Sequence, residues 1–188
     1  MSCDKSYLRK KFLLKRKKNY LKPDKFDFNL IFKLIKNNFH KKKIIIASYY
    51  PSNYEVDTLN FIKEAEKKNY KIALPVIKKS RKMTFRSWAF KEPLYISMFG
   101  TLEPNILNAE MIPDLVMVPL VAFDNDFNRI GYGKGYYDRF LKKVDKIKRK
   151  KIFLGIAHSF QECPVIPTNK YDFKLDYIFT EQGIISSP

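Results

Sequence analysis

The sequence predicts a three-layer α/β/α single domain, residues 1–188, built on a mainly parallel central sheet. Three observations carry that expectation. Continuous apolar runs such as Ile44–Ile45–Ile46–Ala47 and Leu115–Val116–Met117–Val118 lack the alternation of half-exposed strands, as strands covered on both faces do. Segments with apolar residues at helical spacing separate these runs, so strands and helices alternate along the chain. A glycine-rich stretch, Gly131–Tyr132–Gly133–Lys134–Gly135, lies between a buried run and a helix.

The elements follow in order. Ser2 or Asp4 caps a first helix running to about Leu21, with Tyr7, Leu8, Lys11, Phe12 and Leu14 as its stripe and Pro23 past its end. A second helix covers Asp27–Asn38, with Phe28, Ile31, Phe32, Ile35 and Phe39 inward. Ile44–Tyr49 is a strand ended by Tyr50–Pro51, and Ser52–Thr58 leads into a helix reaching about Lys68. Lys71–Val76 is the next strand, and a strand–helix–strand unit of this length implies a right-handed parallel crossover. Met83–Trp88 alternates like an edge strand. Leu115–Val118 precedes the glycine stretch, and Tyr136 to Lys148 places Tyr137, Phe140, Leu141 and Val144 at helical spacing. Lys151–Ala157 and Tyr177–Thr180 are the last strands. No repeat, low-complexity segment or linker divides the chain.

The glycine stretch suits an anion. Alternate glycines permit positive φ and close approach of a ligand to the backbone. Successive N–H groups in such a loop form a concavity, and the helix N-terminus adds free donors and a positive dipole end. Strand, loop and helix therefore read as a phosphate cradle, although a tight turn uses the same glycines. The spacing is neither a Walker A loop nor a dinucleotide fingerprint. Lys5 and Arg9 lie four apart and share a helix face, either solvated or turned to an anion. Glu55 lies beyond the end of a central strand, where α/β sheets bind ligands. Ser52 and Glu55 also have capping-box spacing, which leaves a helix-capping acid open.

The wider segment is specific. Val118–Pro119–Leu120–Val121–Ala122–Phe123–Asp124, Arg129, the glycine loop and Asp138–Arg139–Phe140–Leu141 closely resemble the signature of the 5-formyltetrahydrofolate cyclo-ligases, also called 5,10-methenyltetrahydrofolate synthetases. The resemblance runs from Lys5 to Glu181; Leu120 stands where that family usually has glycine. It implies an ATP- and Mg2+-dependent enzyme acting on 5-formyltetrahydrofolate, free or polyglutamylated. Lys5, Arg9, Arg129, Gly131, Gly133, Lys134, Gly135, Tyr136 and Tyr137 would then bind ATP. Tyr50, Glu55, Thr58, Tyr132 and the Gly133–Tyr136 segment would face the folate. Lys134, Arg129 and Tyr136 would act in catalysis. Asp138 and Asp172 match the family's metal-side acids, the bland alternative being a helix-start or turn aspartate. Gly100–Thr101–Leu102–Glu103–Pro104 resembles another family segment, in which Glu103 either orients a loop or is a surface turn acid.

Composition narrows the rest. The 45% hydrophobic content, with sixteen Phe and twelve Tyr, argues against disorder. No apolar run reaches membrane-spanning length, and the Lys-rich start lacks the apolar core of a signal peptide. Cys3 and Cys163 read as free thiols of a reducing cytoplasm, since no metal-ligand spacing involves them. The net charge of +18 would attract a polyanion, but the basic residues spread in short groups such as Lys41–Lys43 and Lys146–Lys151, as solvated surface lysine does. Two rival readings stand: a nucleic-acid-binding protein with basic strips among Tyr and Phe, and another phosphate-substrate enzyme on a similar sheet. Neither accounts for the loop, Lys5, Arg9 and Glu55 together, so an enzyme acting without nucleic acid is expected, and it is taken as a cytoplasmic monomer.

Overall fold

Along each central strand, successive side chains leave on opposite faces, and both faces find a helical layer. The computed structural model describes residues 4–20, 25–40, 43–78, 80 and 82–186. Ser2, Cys3, Leu21, Pro23, Lys41 and Lys42, invoked above, lie outside the described residues. In chain order come helices α1 (Lys5–Asn19) and α2 (Asn29–Asn38), strand β1 (Ile45–Ala47) and helix α3 (Leu59–Lys67). Strands β2 (Lys71–Ile77), β3 (Met83–Ser87), β4 (Tyr95–Ile96), β5 (Leu102–Glu103), β6 (Glu110–Met111) and β7 (Leu115–Pro119) follow. Then come β8 (Ala122–Phe123), β9 (Arg129–Ile130), helix α4 (Tyr136–Asp145), β10 (Ile152–Ile156), β11 (Tyr177–Thr180) and β12 (Gly183–Ser186).

The main sheet has the order β12-β11-β10-β7-β1-β2-β3-β6. Its five central strands, β11 through β2, are parallel, while β12, β3 and β6 run antiparallel to their inner neighbours. The fold is thus α/β with a mostly parallel sheet, as expected. One position differs. Met83–Ser87 is not the edge, because Glu110–Met111 pairs outside it, Phe85 opposite Met111. A two-residue strand has no period to read in the sequence.

Ile46, Ile72, Leu115, Met117, Ile152 and Leu154 pack on one face under α2 and α3. Ala47, Ala73, Val116, Val118, Phe153 and Ile178 pack on the other under Phe140, Leu141 and Val144 of α4. Full burial of each large apolar side chain contributes roughly 1.5–3 kcal/mol, so the continuous apolar runs stabilise both layers at once. Gly155 of β10 has no room for a side chain: a Cβ there would meet Ile178, Leu175 and Leu120 at 2.7–2.8 Å. Leu120 is fully buried and fills that space.

Helix α1 lies apart from the sheet. Its buried positions are Leu8, Phe12 and Arg16, four apart, against Val121, Ala122, Ile130, Cys163 and Ile166 around the β8–β9 hairpin. Tyr7 and Leu14, expected in the apolar stripe, face outward. This seat on the hairpin carries the cationic side chains of α1 to the loop that follows β9.

Candidate active site

A cleft of about 640 Å³ opens past the carboxyl ends of β1, β2 and β7, bounded by Tyr49, Ile77 and Pro119. The strand ends dictate its place, since that is where an open α/β sheet leaves room between its connections. The sequence-predicted residues come together there. Lys5 and Arg9 enter from α1, Tyr50 and Glu55 from the turn after β1, and Arg129 from β9. The whole loop Gly131–Tyr137 lines it, with Asp138 from the first turn of α4 and Asp172 from the segment before β11.

The loop uses its glycines unequally. Gly133 (φ +92°) and Gly135 (φ +65°) hold left-handed backbone that disfavours other residues. The third, Gly131, has neither positive φ nor anything within 4 Å of a Cβ, so the expectation of positive φ fails at that position. Cations occupy the other two recesses. The Arg9 guanidinium lies 3.2 Å from a Cβ built on Gly133, and its Nε donates to the Gly131 carbonyl at 2.7 Å. Nη1 of Arg139 lies 2.9 Å from a Cβ built on Gly135, which is also the N-cap of α4. Lys134 is exposed at the loop tip and has no carboxylate partner among the described residues.

The acids on this side are paired with cations. Asp138 Oδ1 accepts from Arg129 Nη2 at 2.7 Å and from the Phe173 N–H at 3.2 Å. Asp172 Oδ2 accepts from Lys5 Nζ at 2.5 Å and from the Asn169 N–H at 2.6 Å. Burial lowers the affinity of Arg129 for its proton, and the neighbouring Asp138 opposes that. Tyr137 lies against Phe85, and its hydroxyl is sealed from solvent with no partner among the described residues. Burial raises its pKa far above the usual tyrosine value, so the hydroxyl stays neutral in the wall of the cleft that Tyr137 lines.

On the opposite wall, Glu55 Oε2 accepts from the Ser52 N–H at 2.9 Å and Oε1 from the Tyr132 hydroxyl at 2.9 Å. Burial raises the Glu55 pKa, opposed by the Ser52 N–H and the Arg16 charge. The capping-box spacing of Ser52 and Glu55 makes a real contact, but on a turn, since α3 starts only at Leu59. Thr58, expected toward the folate, is buried and donates to the Tyr49 carbonyl at 2.9 Å, so it serves the turn rather than the cleft. Glu103 is buried, not a surface acid. It accepts from the Ile77 N–H at 3.2 Å and fastens the β4–β5 hairpin beside the cleft, where Phe99 meets Tyr136 at 5.8 Å.

The sequence model of the 5-formyltetrahydrofolate cyclo-ligase family matches residues 1–181. The chain belongs to this family. A curated cyclo-ligase of Mycoplasma genitalium is 32% identical over 178 residues, covering 93% of this chain and 96% of that one. The cyclo-ligase of Haemophilus influenzae is 31% identical over 136 residues, covering 69% and 72%. Among solved structures, the 5,10-methenyltetrahydrofolate synthetase of Aquifex aeolicus superposes with TM-score 0.74 at 31% identity, over 97% of this chain and 92% of that one.

Two arginines of this cyclo-ligase-family chain, Arg139 lining the cleft and Arg16 buried away from it, escaped the sequence reading. Arg139 was seen only as part of a motif; its guanidinium also lies 5.2 Å from the Tyr136 ring. Arg16 was not singled out, although the spacing Leu8–Phe12–Arg16 puts it on the buried stripe. Among the lysines of α1 only positions 9 and 16 carry arginine, the side chain suited to buried, forked hydrogen bonding. The departure at Leu120 turns into the core and does not line the cleft.

Proposed function

We propose that this chain converts 5-formyltetrahydrofolate to 5,10-methenyltetrahydrofolate, with ATP cleaved to ADP and phosphate. The observation that carries the reading is the meeting, in one cleft, of the phosphate-suited loop and its cations with the Glu55 wall, in a chain of the cyclo-ligase family. A formamide is a weak electrophile because its nitrogen donates into the carbonyl. Its oxygen attacks the γ-phosphorus of ATP, the β,γ-bridging bond breaks, and ADP leaves. The anilino nitrogen then attacks the formyl carbon of this imidate phosphate. The C–O bond breaks, the anilino N–H proton is released, the ring closes, and the phosphate departs with the formyl oxygen.

Phosphoryl transfer asks the protein for position and charge neutralisation more than for covalent chemistry. Lys134, Arg9, Arg129 and the loop N–H groups hold and neutralise the triphosphate. Tyr136, between Phe99 and Arg139, walls the junction of the two substrates. Glu55 accepts from the N–H donors of the pterin, a charge-assisted contact. Because Ser52 and Tyr132 already engage both of its oxygens, a paired grip requires one of them to yield.

Mg2+ fits the donor set. Hydrogen bonds to Asp138 fall on Oδ1 and those to Asp172 on Oδ2, leaving one oxygen of each without such a bond among the described residues. No cluster of three or more His, Cys, Asp or Glu gathers among the described residues. A cation completed by phosphate oxygens and water is how magnesium usually binds. When bound it would neutralise charge on the transferring phosphate. The polyanion-binder reading explains the charge but not the cleft, and we place the enzyme in the cytoplasm as a monomer. Substrate labelled with 18O in the formyl group tests the chemistry: the label must appear in inorganic phosphate. Label kept in the folate, or lost to water, overturns the phosphorylated intermediate.

A further inference from the structure

Arg16 is 1% exposed, the largest fully buried side chain among the described residues, and sits where four segments meet. Its Nη1 donates to the Leu120 carbonyl at 3.3 Å, just past the end of β7. Its Nη2 donates to the Asn53 carbonyl and, at 2.5 Å, to the Tyr132 hydroxyl. That hydroxyl in turn donates to Glu55. The Asn53 contact falls on an unusual turn: Asn53 (φ 47°) and Tyr54 (φ 62°) are both left-handed without being glycine. Such backbone persists only where its surroundings hold it, and this turn delivers Glu55. A buried guanidinium with this set of acceptors is expensive to place in a core.

We propose that Arg16 is a positioning residue for the folate side of the cleft, bracing the 53–54 turn and aiming the Tyr132 hydroxyl so that the Glu55 carboxylate is held ready for substrate. The inference rests on the reading that Glu55 binds the formylfolate. It also ties the two halves of the site to one helix, because α1 carries Lys5 and Arg9 on the phosphate side and Arg16 on the other. The groups facing Glu55 are Ser52, Tyr132 and Arg16 by contact or charge, with Tyr49 and Tyr137 as neutral phenols behind. Arg16 is the cation among them. Its loss removes the charge that favours an ionised Glu55 and frees the Tyr132 hydroxyl to turn away.

The test compares Arg16→Gln, Arg16→Lys, Tyr132→Phe and Glu55→Gln in steady-state cyclisation from pH 5 to 8. Arg16→Gln is expected to raise KM for 5-formyltetrahydrofolate at least tenfold, leave KM for ATP within about threefold, and move the acidic limb of kcat/KM for the folate to higher pH. Tyr132→Phe should raise the same KM by less, and Arg16→Lys should keep the limb near its wild-type position. If Glu55→Gln raises the formylfolate KM but Arg16→Gln changes both KM values equally, or lowers only the melting temperature, the inference falls while the Glu55 reading stands. If Glu55→Gln leaves that KM unchanged, the reading beneath it falls. Should Arg16→Gln not fold, Arg16→Lys and Tyr132→Phe decide: an unchanged formylfolate KM in both overturns the proposal.

Discussion

Replacing Gly133 by alanine forces a methyl group into the recess where Arg9 now sits. Two costs follow from the geometry. Backbone at φ +92° costs an alanine about 1–2 kcal/mol relative to glycine. The methyl group would also lie 3.2 Å from the guanidinium carbon of Arg9, so the side chain must give by a few tenths of an ångström. It is the end of a flexible chain, so the steric part is small, but the 2.7 Å bond from Nε to the Gly131 carbonyl weakens with it. The total is about 2 kcal/mol, and for a chain of this length each kcal/mol lowers Tm by about 2–4 °C. Circular dichroism melts should therefore show Gly133→Ala lower by about 4–8 °C, with a raised KM for ATP. The internal control is Gly131→Ala, where φ is not positive and the space is open; its Tm should stay within about 2 °C of wild type. Equal melting temperatures for the two variants would refute the account of the loop.

Three further outcomes are expected. Asp138→Asn keeps an oxygen for Arg129 and Phe173 but loses the charge, so activity should drop at least about a hundredfold at low Mg2+ and recover partly in excess Mg2+, with Tm changed by only a few degrees; a magnesium-independent loss that tracks a large fall in Tm contradicts this. Lys134→Ala should cut kcat by about a hundredfold or more, the ~2.7–4 kcal/mol scale of one preorganised electrostatic donor, whereas Lys148→Ala with Lys150→Ala on the exposed surface should leave cyclisation intact and weaken only salt-dependent RNA retention. For Glu55, burial raises the pKa above that of an ordinary glutamate, so the acceptor form is lost as pH falls through that raised value, and kcat/KM for the formylfolate should decline with an acidic limb above the ordinary carboxylate range. The stability effect has the opposite sense: the fold favours neutral Glu55, so its contribution is full below the unfolded carboxylate pKa and is lost as pH rises through the raised one. Glu55→Gln should abolish both slopes, and persistence of the activity limb in that variant rules Glu55 out as its source.

Much of this site was legible because its signals are local. Glycines spaced by single residues, a Lys and an Arg one helical turn apart, and a carboxylate just past a strand each sit within a few residues, and the fold brings them to one cleft. The alternation of faces was readable too, since a buried parallel strand needs an unbroken apolar run. What escaped depended on tertiary neighbours. Hydropathy put Tyr7 and Leu14 of α1 inward, but the hairpin it meets is narrow, so only Leu8, Phe12 and Arg16 are covered. Burial of a guanidinium becomes visible only when the Leu120 and Asn53 carbonyls and the Tyr132 hydroxyl are seen to converge on it. Ser52 and Glu55 show the intermediate case: the spacing gave the contact, but not the element it stabilises.

The central claim is that this cleft joins phosphoryl transfer to ring closure, and one spectrum tests it most directly. The purified chain is mixed with 5-formyltetrahydrofolate, and the near-ultraviolet absorbance of the methenyl product is followed with MgATP, with ATP plus a chelator, and without nucleotide. The account predicts product only with MgATP, in amounts equal to the ADP released. Absence of product with MgATP, or equal product without nucleotide, would contradict it.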